Sequence, residues 1–123
     1  MFAKYIIIGT IVYLIEWSIL SLITEISDLT ILNGRVISFP IALVIAWYLN
    51  RNMTFKSKNH NKISEFKMYT MVNISGLILN IITYQICIMY INISFICLGL
   101  AGLAGLMTNY LGSKHIVFRF QSK

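Results

Sequence analysis

A carboxylate, three cations and three amides stand in or at the borders of runs so apolar that few sites for a polar group are solvated: Glu16, Arg35, Arg51, Lys114, Asn50, Asn73 and Asn80. Glu16 follows Lys4 by 12 residues, about 18 Å along a helix and near the middle of a hydrocarbon core about 30 Å thick. A charge at that depth costs at least about 2.5–3.5 kcal/mol. The carboxyl therefore lines a wet groove or meets a ligand, or else it stays protonated against a neighbouring helix. Arg35 and Arg51 lie 16 positions apart, about 24 Å of helix, which is shorter than the hydrocarbon. Each either snorkels to an interface or holds an anion, since a guanidinium grips phosphate through two parallel hydrogen bonds. Lys114 and Arg51 invite the same two readings at the ends of their helices, as interfacial anchors or as receivers of phosphate. This chemistry is binding rather than bond-making. The chain has no nucleophile–base pair, no phosphate loop and no paired zinc ligands, so neither an enzyme nor a cofactor is expected.

What positions these groups is a pattern written twice. Phe2-Ala3-Lys4-Tyr5 opens one apolar run and Phe66-Lys67-Met68-Tyr69 opens another, 64 residues later. Asn50-Arg51-Asn52-Met53-Thr54-Phe55-Lys56 closes the first half and Ser113-Lys114-His115-Ile116-Val117-Phe118-Arg119 closes the second, 63 residues later. In this frame Glu16 corresponds to Asn80, and Gly9 to Asn73. The expected fold is an all-α membrane protein of four transmembrane helices, built as two tandem helical-hairpin repeats. Repeat one covers 2–56, repeat two covers 66–119, and a basic loop at 56–67 joins them within one domain.

Composition fits that fold. The 123 residues are 58% hydrophobic and 11% charged, with a mean hydropathy of +0.77, whereas soluble domains carry about 25% charged residues. Four apolar segments run from about Tyr5 to Thr24, between Arg35 and Arg51, from about Tyr69 to Tyr90, and from about Ser94 to Leu111. No Lys, Arg, Asp or Glu falls between Lys67 and Lys114, room for two spans and a tight turn at Ile91-Asn92-Ile93. Long runs without polar alternation do not suit a barrel wall. The net charge of +6 does not indicate nucleic acid, because the basic residues gather at the ends of apolar runs, where lipid headgroups lie. Lys4, Arg51, Lys56, Lys58, Lys62, Lys67, Lys114, Arg119 and Lys123 share one side, and Arg35 is alone on the other beside Glu25 and Asp28. Both termini and the central loop are therefore expected in the cytoplasm. The first run is long, holds a Glu and lacks a small-x-small cleavage site, so it is expected to be retained rather than removed as a signal.

Within the helices, Asn73, Gly76, Asn80, Thr83 or Tyr84, and Cys87 form one stripe, as do Gly9, Tyr13, Glu16 and Leu20. A polar stripe in lipid points inward, and for Asn73 and Thr83 helix–helix adhesion is an equal alternative. Pro40 falls in the early turns of the second helix, where a freed carbonyl is expected. Helix four carries Ala101 and Gly105, then Thr108 and Gly112, at a spacing that lets backbones approach. Cys87 and Cys97 are read as buried small hydrophobes rather than a disulfide. The sequons at Asn73 and Asn92 lie in a span and a minimal turn and are not credited.

The opening FAKYIIIG, the RVISF at the start of helix two, NRNMTFK and SKHIVFR together resemble the GtrA family of small four-helix membrane proteins. The resemblance covers nearly the whole chain. It implies a flippase that carries undecaprenyl-phosphate-linked glucose, or a similar hexose, from the inner to the outer leaflet of the bacterial cytoplasmic membrane. It also implies two partners in one pathway: a polyprenyl-phosphate glucosyltransferase inside and an outer-face glucosyltransferase decorating O-antigen or another surface polysaccharide. On that reading Arg51 and Lys114 gather the phosphate, Glu16 and Asn80 bind sugar hydroxyls at mid-depth, and Arg35 receives the phosphate outside. Asn50 belongs to the same closing signature as Arg51. Four short helices make a thin wall for a hexose, so a homo-oligomer is expected.

Two other classes fit less of the sequence. A proton-coupled exporter of cationic drugs, like small multidrug-resistance proteins, also has four helices and a lone Glu in helix one. Those proteins lack the basic-aromatic closing, and their topology bias is weak. A non-transporting subunit that anchors a glycosyltransferase is the third class; transport by the purified chain counts against it.

Overall fold

In a computed structural model the chain is described over residues 1–119; Lys123, counted above among the basic residues of one side, lies outside the described residues. The chain divides into two compact units, one over Met1–Ser57 and one beginning at Lys58.

In the first unit, α1 (Phe2–Ile26) and α2 (Ile31–Leu49) run antiparallel, and α2 passes into a π-turn over Asn50–Thr54. Ile8 and Val12 of α1 bury against Ala42 of α2, with Ile45, Ala46 and Leu49 packed on them. At the connecting end the backbone of Gly34 closes on α1: a Cβ there would stand 2.8 Å from Leu20 Cδ1. At the other end the ring of Tyr5 meets Phe55 edge-on at 6.1 Å. Helix α2 starts at Ile31, four residues before Arg35, where the sequence placed the beginning of this segment. Thr30 caps it, accepting from Asn33 N at 3.4 Å, so Arg35 sits one turn inside. The span is thereby long enough to hold both arginines: Asn33–Thr54, 22 residues, is the membrane-crossing candidate.

In the second unit, α3 (Lys62–Ile91) and α4 (Ser94–Gly112) pair antiparallel, and α4 passes into a π-turn over Ser113–Val117. Helix α3 begins seven residues before Tyr69, capped by Asn61, whose side chain accepts from Ser64 N at 3.1 Å. Asn92 makes the turn in the left-handed region, φ 52°. Asparagine tolerates that region better than most residues. Tyr69 rests against Phe118, ring centres 6.2 Å apart. Backbones approach most closely where Gly76 meets Gly105: a Cβ on Gly105 would be 3.1 Å from Gly76 O.

Each unit leaves much of its apolar surface bare. Trp17, Val36, Met89 and Phe95 are all exposed. Among the described residues four helices are long and apolar enough to cross a membrane: Phe2–Ile26, Asn33–Thr54, Lys62–Ile91 and Ser94–Val117. Such surface is stable in lipid only if no backbone or hydroxyl donor is left over. Seven of the hydroxyls meet that demand locally. Thr10, Ser18, Ser21, Thr24, Thr70, Ser75 and Thr108 each donate to the carbonyl four residues back, at 2.8–3.1 Å.

Candidate functional site

In the first unit, the pairing of α1 with α2 brings Arg35 to Glu16. Arg35 Nη2 lies 3.8 Å from Glu16 Oε1. The two sit 19 positions apart in sequence, and a long guanidinium arm spans the remaining offset between their turns. The pair is lopsided: the Glu16 side chain is 17% exposed and that of Arg35 58%. At 3.8 Å the charges attract but do not share a hydrogen bond. The helix pairing brings the two side chains together.

The closing of this unit is a second polar cluster. In the π-turn Phe55 N donates to Asn50 O at 2.9 Å, an i→i+5 bond that widens the last turn. Asn50 and Arg51 are buried. Asn50 Oδ1 accepts from the Thr54 hydroxyl at 3.0 Å. Arg51 lies over the ring of Trp47, 5.8 Å from its centre, and its Nη1 donates to Ser57 Oγ at 3.2 Å. Ser57 N returns a bond to Arg51 O at 2.8 Å, made possible by Lys56 at φ 51°.

In the second unit, Asn73 is turned onto its own helix, Nδ2 donating to Tyr69 O at 2.8 Å. Asn80 lies beside the glycine crossing, where a Cβ on Gly105 would be 3.2 Å from Asn80 Cβ. Lys114 is exposed, its Nζ 6.0 Å from the ring centre of Tyr110. Cys87 and Cys97 are buried free thiols.

Three polar features were not anticipated from sequence. Asn109 is packed against Gly76, its Oδ1 buried with no hydrogen-bond partner among the described residues; the triplet Thr108-Asn109-Tyr110 inside a small-residue helix was the available signal. The hydroxyls of Ser38 and Ser113 are also buried with no partner among the described residues. Glu65 is fully buried in the first turn of α3, an acidic residue among lysines where the helix dipole favours one. Among the described residues no group of three His, Cys, Asp or Glu is placed to hold a metal ion.

Four apolar helices that carry an ion pair within one unit and buried polar turns at their closings define a multi-pass α-helical membrane protein. Residues 4–118 match the family described as GtrA/DPMS, transmembrane domain. The chain belongs to that family, whose members are implicated in translocating polyprenyl-linked sugars. Neither the curated proteins nor the solved structures gave a match.

Proposed function

We propose that this chain is a flippase that carries undecaprenyl-phosphate-linked glucose, or a similar hexose, from the inner to the outer leaflet of a bacterial cytoplasmic membrane. The observation that carries the reading is the family match over 4–118; the paired Glu16 and Arg35 in an apolar helix pair supply a fitting polar foothold. A hexose phosphate in hydrocarbon strands several hydroxyls and a charge, each unpaired hydroxyl costing on the order of kcal/mol. A polar face that offers replacement bonds lowers that barrier while the prenyl tail remains in lipid.

The two units are read as duplicated hairpins with both termini in the cytoplasm, so that Lys114 and Arg51 lie at the inner boundary. Lys114 is exposed and suited to meet phosphate directly. Arg51 is largely occupied by Trp47 and Ser57, which suits it to shaping the turn around the buried Asn50. Asn80 takes sugar hydroxyls at mid-depth, and Asn73 supports the helix that carries it. Direction follows consumption of the lipid-linked sugar outside by a second glucosyltransferase for O-antigen or another surface polymer, after supply from inside by a polyprenyl-phosphate glucosyltransferase. The working form is a homo-oligomer. The test is purified chain in liposomes with radiolabelled polyprenyl-phosphate glucose: movement to the opposite leaflet above that of empty vesicles is expected, and its absence rejects the reading.

A further inference from the structure

We propose that Glu16 is a specificity-determining residue: a resident counter-ion for Arg35 that admits a phosphate only when the phosphate carries a sugar. This rests on the flippase reading and assigns the pair a task within it.

Both partners hold unused bonding capacity. Among the described residues neither the Glu16 carboxylate nor the Arg35 guanidinium makes a hydrogen bond, and their own separation of 3.8 Å is too long for one. The neighbouring hydroxyls on α1, Ser18 and Ser21, have spent their protons on carbonyls of their own helix, so they donate nothing to the carboxylate. The cation is the more accessible partner, the anion the more sheltered one. An arriving phosphate can therefore replace a loose ionic contact at Arg35 with two parallel charge-assisted hydrogen bonds.

That exchange leaves the Glu16 carboxylate without its counter-charge in a poorly solvated place, which is costly. A bare polyprenyl phosphate has nothing to offer it. A polyprenyl-phosphate hexose carries hydroxyl donors beyond the phosphate, and a carboxylate accepts several at once. Displacing Glu16 is thus favourable for the glycosylated lipid and unfavourable for the naked carrier.

The full chain in nanodiscs is titrated with farnesyl phosphate and with farnesyl-phosphate glucose. Wild type is expected to prefer the glucose form by about tenfold or more. Glu16→Gln removes the competitor charge, so it binds farnesyl phosphate about tenfold tighter and its preference collapses. Arg35→Gln weakens both ligands. A wild type with no preference, or Glu16→Gln with its preference intact, overturns the proposal. Should Glu16→Gln fold poorly, wild type alone decides through the Nε resonance of Arg35, one of three arginines. It is expected to move with farnesyl-phosphate glucose and not with an equal concentration of farnesyl phosphate; an equal response to both refutes the selection. The liposome assay separates the two readings. Selective binding without transport keeps the selector and removes the flippase, whereas transport without Glu16-dependent selection does the reverse.

Discussion

Replacing Gly76 by alanine tests the α3–α4 crossing on which Asn80 and Asn109 are placed. A Cβ at Gly76 would stand 1.9 Å from Asn109 Oδ1 and 2.6 Å from its Cγ. Restoring ordinary contact needs a shift of about 1.5 Å, so the amide must leave its rotamer or the helices must part. Overpacking of this kind costs about 1–3 kcal/mol, against a gain of about 1 kcal/mol from exchanging glycine for alanine within a helix. The net expectation is a loss of about 1 kcal/mol, rising to about 2 if the helices separate. Gly99 and Gly102 lie on the same helix pair with nothing within 4 Å of a built Cβ. There the propensity gain stands alone, and alanine raises stability by up to about 1 kcal/mol. The two classes therefore differ in sign. Thermal unfolding of each variant in one detergent, followed by helical circular dichroism, reads the difference as several degrees, about 4 °C per kcal/mol for a chain of this size. A Gly76→Ala protein as stable as Gly102→Ala refutes the close crossing.

Arg51→Ala removes a cation from the face of Trp47 and a donor from Ser57, and should lose about 1–3 kcal/mol in the same unfolding assay. Arg51→Lys should recover only part, since an ammonium does not reproduce the planar fork. Lys114→Ala should leave stability within about 0.5 kcal/mol while reducing liposome transport about tenfold, on the order of one lost charge-assisted contact; a normal rate excludes Lys114 from the path. Asn92→Ala should cost about 1 kcal/mol through the left-handed turn between α3 and α4, whereas Asn92→Gly should be neutral or stabilising in the same measurement.

Much of the fold was legible because apolar runs longer than about 18 residues have few other uses. The turn at Asn92 was equally plain, an asparagine in a three-residue interval between two such runs. Helix starts were harder to read. Hydropathy marks where lipid begins, but Lys62, Glu65 and Lys67 are good helix formers, so α3 starts at the cap Asn61 well before its apolar stretch. The start of α2 at Ile31 is set by its cap Thr30 instead, since Asn33 and Gly34 are poor helix formers. The π-turns were invisible, because an i→i+5 bond depends on how the last turn is held from outside rather than on a residue type. Of the candidate residues, the types were readable but not which of them meet: Glu16 and Arg35 come together through the register of two helices, set where Gly34 lies close to Leu20.

The two closings occupy matching places in sequence yet differ in chemistry. Each has an aromatic four residues before its cation, Trp47 before Arg51 and Tyr110 before Lys114, and each π-turn ends on a phenylalanine packed against a tyrosine near the start of its partner helix. In the first, Thr54 donates to Asn50, Arg51 binds Ser57, and the turn is fastened from within. In the second, the places of Asn50 and Thr54 are taken by Ser113 and Val117. A valine has no proton to give, and the Ser113 hydroxyl is buried with no partner among the described residues. Lys114 remains exposed where Arg51 is covered. A guanidinium, planar and with five donors, suits a fixed seat, whereas an ammonium on a flexible stem suits a group that must reach a ligand and let it go. On the proposed function, one closing holds its unit together and the other meets the substrate, so the basic residue that matters most for stability is not the one that matters most for transport.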